Sequence, residues 1–432
     1  MTLKMPGYLP RIVDRRIEED LKIFGAISVE GPKWCGKTWT ALNHANSVCY
    51  LLDPAGGYSN KQRALISPSL ALEGSRPHLI DEWQEVPGIW DAVRFDVDQE
   101  PGAGKYLLTG SVTPRRKTYQ HSGTGRFSVL RMRPMSLFES GDSNCSVSFG
   151  SILRGEPIDP FSADLSLERL IDITIRGGWP ETLSLTTRQA SRVSMEYINM
   201  ILKKELFDSS APKRNSAKFK TLLRAAARNN ATIVNVSTIS SDIDGQTRPA
   251  QNQTEIMASR ATATEYLDDL KKIFVVEDIL GWDPGIRSKT RIRMTPKLVF
   301  ADPSLAIAAL GLSRDRLLKD LNTYGFMFEN LCLRDIAIYA EYHSGSLYHY
   351  RDNSNLEVDA IVEMQDGSWG AFEIKLGEHQ VEPAIKTLKR LRDKMVDNGA
   401  ERPMFLCVIT GGGFGRLRED GIYVIPINSL TC

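Results

Sequence analysis

Eight residues near the amino end, Gly31-Pro32-Lys33-Trp34-Cys35-Gly36-Lys37-Thr38, have the spacing G-x-x-x-x-G-K-T. Glycines at both ends let the backbone curl until successive N–H groups aim at one phosphate group, and a helix starting at the lysine adds the positive end of its dipole. In such a loop the Lys37 ammonium meets the outer phosphates of a triphosphate, and the Thr38 hydroxyl ligates Mg²⁺. The flanks agree. Residues 26–30 (AISVE) read as a short buried strand, and Trp39, Ala41 and Leu42 open a helical pattern. The candidate nucleotide-binding set is therefore residues 31–38 together with Trp39.

Two more segments fit the same chemistry. His78-Leu79-Ile80-Asp81-Glu82 is an apolar strand ending in two carboxylates, about 43 residues beyond the loop. In this position Asp81 is expected to hold Mg²⁺ through water, and Glu82 to orient or deprotonate the attacking water. Taken alone, the string also reads as a plain strand end. Tyr106-Leu107-Leu108 predicts a further strand running into Thr109-Gly110-Ser111, where Ser111 reads either as part of a strand-ending turn or as a polar group that senses the terminal phosphate. Gly125-Arg126 lies beyond. Arg126 reads equally as a surface arginine or as one that meets the terminal phosphate, from its own chain or from a neighbouring copy.

A second group of charged residues lies near the carboxyl end. Glu373 and Lys375 are two apart on a predicted strand, Gly370–Lys375, so both side chains point to one face. Asp359, on the preceding strand Glu357–Val362, is positioned to share that face. Two carboxylates, Asp359 and Glu373, suit a hard cation such as Mg²⁺. A lysine beside them can position or activate water for attack on a phosphodiester. Charged residues that alternate along a strand are also commonly a solvated face.

These groups need elements to hold them. The chain has 432 residues, 42% hydrophobic and 25% charged, enough for two to four domains of α/β type. The net charge of +1 gives no global pull toward polyanions, but the distribution is uneven. Residues 201–300 carry 17 basic and 11 acidic side chains, against 14 and 19 in residues 301–432. In the basic middle, residues 217–228 have the spacing of an amphipathic helix, with Phe219, Leu222, Leu223 and Ala226 on one face. Further helices are predicted from Val236 and over Ala261–Lys272, then strands near Phe274–Ile279 and Lys297–Phe300. Lys213, Arg214, Lys218, Lys220, Arg224 and Arg228, with Arg287, Lys289, Arg291 and Arg293, are candidate phosphate contacts to nucleic acid. Glu265, Asp268 and Asp269 on the third helix oppose that reading, and such modules also serve as protein-packing units. No apolar run approaches membrane-spanning length, and MTLKMPGYLP lacks a leader-type apolar stretch. The six cysteines show no paired metal-ligand spacing, so free thiols, a cytoplasmic location and no membrane partner are expected.

The runs GPKWCGKT, LIDEWQEVP, LLTGS, GTGR and RPMSL resemble a family of prokaryotic AAA+-type ATPases fused to a carboxyl-terminal restriction-endonuclease-like domain. Gly177-Gly178-Trp179-Pro180-Glu181 is similar to that family's signature at the start of its helical lid. The resemblance implies a P-loop AAA+-type ATPase domain (1–165), a helical lid (166–210), a winged-helix-like module (211–300) and a restriction-endonuclease-like domain (301–432). It further implies ATP and Mg²⁺ as cofactors and ATP hydrolysis as the activity. Association of several copies would let Arg126 act across subunits. The predicted order α-β-β-β-α-β after residue 316, with Asp359 and Glu373-x-Lys375, resembles the PD-(D/E)xK nuclease core. Glu329 matches that core's additional acidic position. The proline before the aspartate is absent, since the strand reads Glu357-Val358-Asp359.

Overall fold

The AISVE run becomes a strand buried at four of its five positions, as expected where helices cover both faces of a parallel sheet. A computed structural model describes residues 3–112, 124–163, 165–207, 216–244, 253–285 and 294–432. Two compact units emerge: Met1–Pro134 with Lys272–Phe274, and Met135–Lys271 with Val275–Cys432.

The first unit runs α1 (Val13–Asp20), β1 (Ala26–Glu30), α2 (Lys37–His44), β2 (Ser47–Tyr50), α3 (Ser59–Ile66), β3 (His78–Asp81), α4 (Gly88–Gln99), β4 (Tyr106–Gly110) and β5 (Phe127–Arg131). Its sheet has the order β2-β3-β4-β1-β5, with every described pair parallel. Ile80, Trp83, Ile89, Trp90, Val93, Tyr106 and Leu108 form its core, and Trp90 stacks on Phe127 at 3.9 Å between ring centroids. The register sets Glu30 beside Gly110 and Asp81 beside Thr109, so the carboxyl ends of β1, β4 and β3 share one edge. Ligands of open α/β sheets bind at that edge, where the strand order reverses.

The second unit begins with β6 (Val147–Ser148), α5 (Phe149–Leu153), β7 (Phe161–Ala163), α6 (Leu167–Arg176) and α7 (Thr187–Phe207). Next come α8 (Ser216–Arg228), β8 (Thr232–Ile233), α9 (Val236–Asp244), α10 (Gln253–Lys272), β9 (Val276–Ile279) and β10 (Lys297–Phe300). The strands form an antiparallel sheet of order β8-β10-β9. Then follow α11 (Pro303–Leu310), α12 (Arg314–Lys319), α13 (Leu321–Tyr342), β11 (Ser346–Arg351), β12 (Glu357–Glu363), β13 (Trp369–Lys375), α14 (Val381–Asp397), β14 (Leu406–Thr410), β15 (Gly413–Leu417), β16 (Ile422–Pro426) and β17 (Leu430–Thr431). A seven-stranded sheet takes the order β11-β12-β13-β14-β16-β15-β7.

Several boundaries differ from the sequence reading. Residues 135–165, expected in the ATPase domain, belong to the second unit: β7 pairs with β15, and β6 with β17. These strands have two and three residues, too few to show a pattern, and only distant partners stabilise them. The helices expected as a lid also pack in this unit, where α6 and α7 lie against α11. The long helix runs through Gly325 without a break. The break comes earlier, at Asp320, whose side chain accepts the Thr323 N–H at 3.0 Å and caps α13.

The Gly177-Gly178 pair has a packing role. Gly177 adopts φ +72°, and a Cβ on Gly178 would lie 2.1 Å from the Met135 carbonyl oxygen. Gly178 N–H donates to Asp302 at 2.9 Å, and Trp179 Nε1 donates to Ser304 at 2.9 Å. The signature therefore fastens the end of α6 to the start of α11. All six cysteines are free thiols, and no described helix is long and apolar enough to cross a membrane.

Candidate functional site

Within the first unit, the loop between β1 and α2 is shaped by both of its glycines. A Cβ on Gly31 would sit 2.1 Å from the Met132 carbonyl oxygen, so only glycine allows this approach. Gly36 adopts φ +102° as the residue before α2. Trp34 is also left-handed, at φ +67°, a conformation that costs a bulky residue about 1–3 kcal/mol and is concentrated at functional sites. Lys37 is buried and its Nζ spans the loop to the Pro32 carbonyl at 2.8 Å. Trp34 and Trp39 are 43% and 44% exposed, so both rings border solvent beside the loop.

The neighbouring strand ends meet the loop. Thr38 Oγ1 donates to Asp81 Oδ1 at 2.8 Å, and Thr109 Oγ1 donates to the same oxygen at 2.6 Å. Burial raises the Asp81 carboxyl above its usual range, against the two hydroxyl donors and Lys37. Glu82 has a left-handed backbone, φ +59°, and its N–H donates to Thr109 Oγ1 at 3.2 Å. Its carboxylate accepts from Ser111 Oγ at 2.8 Å and from Gln84 Nε2. Structure therefore brings together Gly31–Thr38, Asp81, Glu82 and Ser111.

Arg126 is not part of this group. Its carbonyl accepts the N–H of Ala26 at 3.1 Å, at the amino end of β1, while the loop leaves the carboxyl end. Four extended residues, about 13 Å, separate the two edges. The Arg126 side chain is 47% exposed and pairs with Asp98 at 2.7 Å. A role toward phosphate held by its own chain is thus ruled out by position, which leaves the surface and cross-subunit readings. Arg126→Ala is expected to leave phosphate release unchanged at dilutions where the chain is monomeric; a loss of turnover there would contradict this placement.

Arg11 is a positioning residue that sequence reading missed. It is buried, with Nη1 on the Cys35 carbonyl at 2.6 Å and Nη2 on the Arg133 carbonyl at 2.8 Å. It ties the β1–α2 loop to the segment after β5. No local pattern marks an arginine 24 residues before its partner.

Residues 24–140 match a family model described as an AAA domain. The first unit is thus similar to AAA domains. Two domains of unknown function match the rest, DUF8612 over residues 167–316 and DUF4143 over 324–430. The chain is 24% identical over 420 residues to uncharacterized proteins Mb2031c of Mycobacterium bovis and Rv2008c of Mycobacterium tuberculosis, covering 96% of this chain and 83% of each relative. Among solved structures, the Walker-type ATPase PABY2304 of Pyrococcus abyssi aligns at a TM-score of 0.43 and 13% identity, over 71% of this chain and 97% of that one.

The second unit holds the other predicted cluster, and here the structure adds a residue. Ala360 of β12 lies opposite Phe372 of β13, so Asp359 and Glu373 follow next in register. Lys375 Nζ reaches Asp359 Oδ2 at 3.0 Å and Glu373 Oε2 at 2.6 Å. Asp359 Oδ2 also accepts the Ile374 N–H at 2.8 Å. Glu329, on α13, is 15% exposed and pairs with a lysine: its Oε1 is 2.5 Å from Nζ of Lys297. That lysine, on β10, is wholly buried and lies 4.0 Å from Asp359 Oδ1. In the sequence Lys297 is marked only as the first residue of the strand Lys297–Phe300.

Burial and the nearby Asp359 charge push the Glu373 carboxyl up to about 8, and burial raises Glu329 to about 7. Asp359 moves the other way: the two ammonium groups and the Ile374 N–H hold it below its usual value, against burial. Both glutamates bind a proton more tightly in the folded chain than in the unfolded one. Their stabilising contribution is therefore complete below about pH 4.5 and is lost as pH rises through about 7 and 8. The melting temperature of the second unit is expected to fall over that interval, and Glu373→Gln to flatten the upper part. An unchanged slope in the variant would refute this assignment.

Of the predicted phosphate contacts, Lys218, Lys220, Arg224 and Arg228 share the exposed face of α8, opposite buried Phe219, Leu222, Leu223 and Ala226. Lys213, Arg214, Arg287, Lys289, Arg291 and Arg293 lie outside the described residues.

Proposed function

We propose that the AAA domain binds and hydrolyses Mg·ATP, and that turnover drives a conformational switch whose output is the carboxyl-terminal unit. One observation carries this reading: Asp81 Oδ1 gathers the hydroxyls of Thr38 from the loop and Thr109 from β4 at one point, with Glu82 the next residue. Hard oxygens from Thr38 and Asp81, 2.8 Å apart, suit Mg²⁺. Bound there, the ion would neutralise charge on the outer phosphates. Lys37 and the loop N–H groups supply the remaining positive field. Glu82, its carboxylate oriented by Ser111 and Gln84, receives the proton of the attacking water. Phosphate release by the full chain tests the proposal, with Lys37→Ala and Glu82→Gln as controls. Wild-type turnover equal to both variants overturns it.

The second unit supports two finer readings. The order α8-β8-α9-α10-β9-β10 is that of a winged-helix-like module, and the basic face of α8 suits a nucleic-acid backbone. The order α13-β11-β12-β13-α14-β14, with Asp359, Glu373 and Lys375 converging, is that of a nuclease-like core. Its charge balance favours an output that binds a nucleic-acid or protein partner over one that cuts. Association of copies, with Arg126 facing a neighbour, completes the proposal.

A further inference from the structure

A divalent cation held by carboxylates needs several oxygens free to converge on it at about 2.0–2.6 Å. Around Asp359, each of the three carboxylates already gives one oxygen to a protein ammonium. Asp359 Oδ2 is taken by Lys375 Nζ and the Ile374 N–H, and Glu373 Oε2 by Lys375 Nζ. Glu329 Oε1 is taken by Lys297 Nζ at 2.5 Å, and the same ammonium sits 3.4 Å from the Asp359 carbonyl and 4.0 Å from Asp359 Oδ1. Among the described residues no group of three His, Cys, Asp or Glu side chains is arranged to hold a metal. Lys297 has no solvent exposure, and its strand Lys297-Leu298-Val299-Phe300 is buried at every position. An ammonium so placed persists only because carboxylates surround it. The cation that a nuclease-like core would take from solution does not fit this site, because two fixed positive charges already occupy it.

We infer that Lys297 is the built-in cation of the carboxyl-terminal acidic cluster, so that this unit is a metal-free binding module and does not hydrolyse phosphodiesters. The inference rests on reading the unit as nuclease-like in topology, and is independent of ATP binding at Lys37. Lys297 also links two parts of the unit. It extends from β10, paired with β8 and β9, to the site on β12, β13 and α13.

The test is a Mn²⁺ titration of the full chain without nucleotide, followed by the electron paramagnetic resonance of free Mn²⁺. Asp81→Asn serves as background to remove the carboxylate of the AAA domain. The expected result is that adding Asp359→Asn leaves the binding curve unchanged. Lys297→Met in the same background is expected to gain a Mn²⁺ site that Asp359→Asn abolishes. An Asp359-dependent Mn²⁺ site already present with Lys297 in place overturns the inference, as does a folded Lys297→Met chain that gains none. If circular dichroism shows Lys297→Met unfolded, the first comparison decides alone. Loss of Lys37-dependent nucleotide binding would instead sink the ATPase reading, so the two failures are separable.

Discussion

Lys37→Ala is expected to remove nucleotide binding and with it phosphate release, by roughly 10²–10³-fold, the usual cost of deleting one preorganised charge from a phosphate site. The ammonium is buried and spans the loop to Pro32, so alanine leaves neither a charge nor a group that bridges the loop. Glu82→Gln should behave differently. Glutamine keeps shape and hydrogen bonding to Ser111 but cannot take a proton, so hydrolysis should fall by about 10²–10⁴-fold while binding persists. Calorimetry with ATP and a phosphate-release assay separate the two variants. Equal loss of binding in both would show that Glu82 shapes the site and takes no proton.

The largest stability effect is expected from Arg334→Met in the second unit. Arg334 on α13 is buried, with Nη1 on Asp302 at 2.7 Å and Nε and Nη2 on Asp335 at 2.9 and 2.7 Å. Both carboxylates are fully buried and also accept main-chain donors, Gly178 N–H at Asp302 and Leu137 N–H at Asp335. Burial raises Asp335 to about 6 even with the guanidinium present. Methionine fills much of the same volume but strands both carboxylates, and breaking a buried pair in this way costs about 3–5 kcal/mol. Denaturant unfolding monitored for the second unit should show the loss, with the first unit melting as before. A change below about 1 kcal/mol would mean that the pair can be dispensed with.

Much of the amino-terminal site was legible because its signal is local. The loop between β1 and α2 is eight consecutive residues whose backbone conformation follows from two glycines and a helix start, so Gly31 to Thr38 can be read without knowing what surrounds them. Asp81 and Glu82 were legible for a similar reason, as carboxylates ending an apolar strand at a suitable distance. The strands Tyr106–Gly110 and Trp369–Lys375 also followed their patterns. Arg126 stayed open between its readings because residue type and proximity in sequence to a motif say nothing about which end of a strand a side chain occupies.

What the chain order alone determined was the set of candidate groups: a G-x-x-x-x-G-K-T loop, a carboxylate pair ending an apolar strand and a charged strand near the carboxyl end. Tertiary structure decided which charges meet. Arg11 reaches Cys35, Gln84 and Ser111 turn Glu82, and Lys297 enters between Glu329 and Asp359. The reason is that a buried charge takes its partner from whatever element packs beside it. Lys297 lies 62 residues from Asp359 and 32 from Glu329, so packing between strands and helix, which leaves no periodic trace, set a second ammonium group among the three carboxylates.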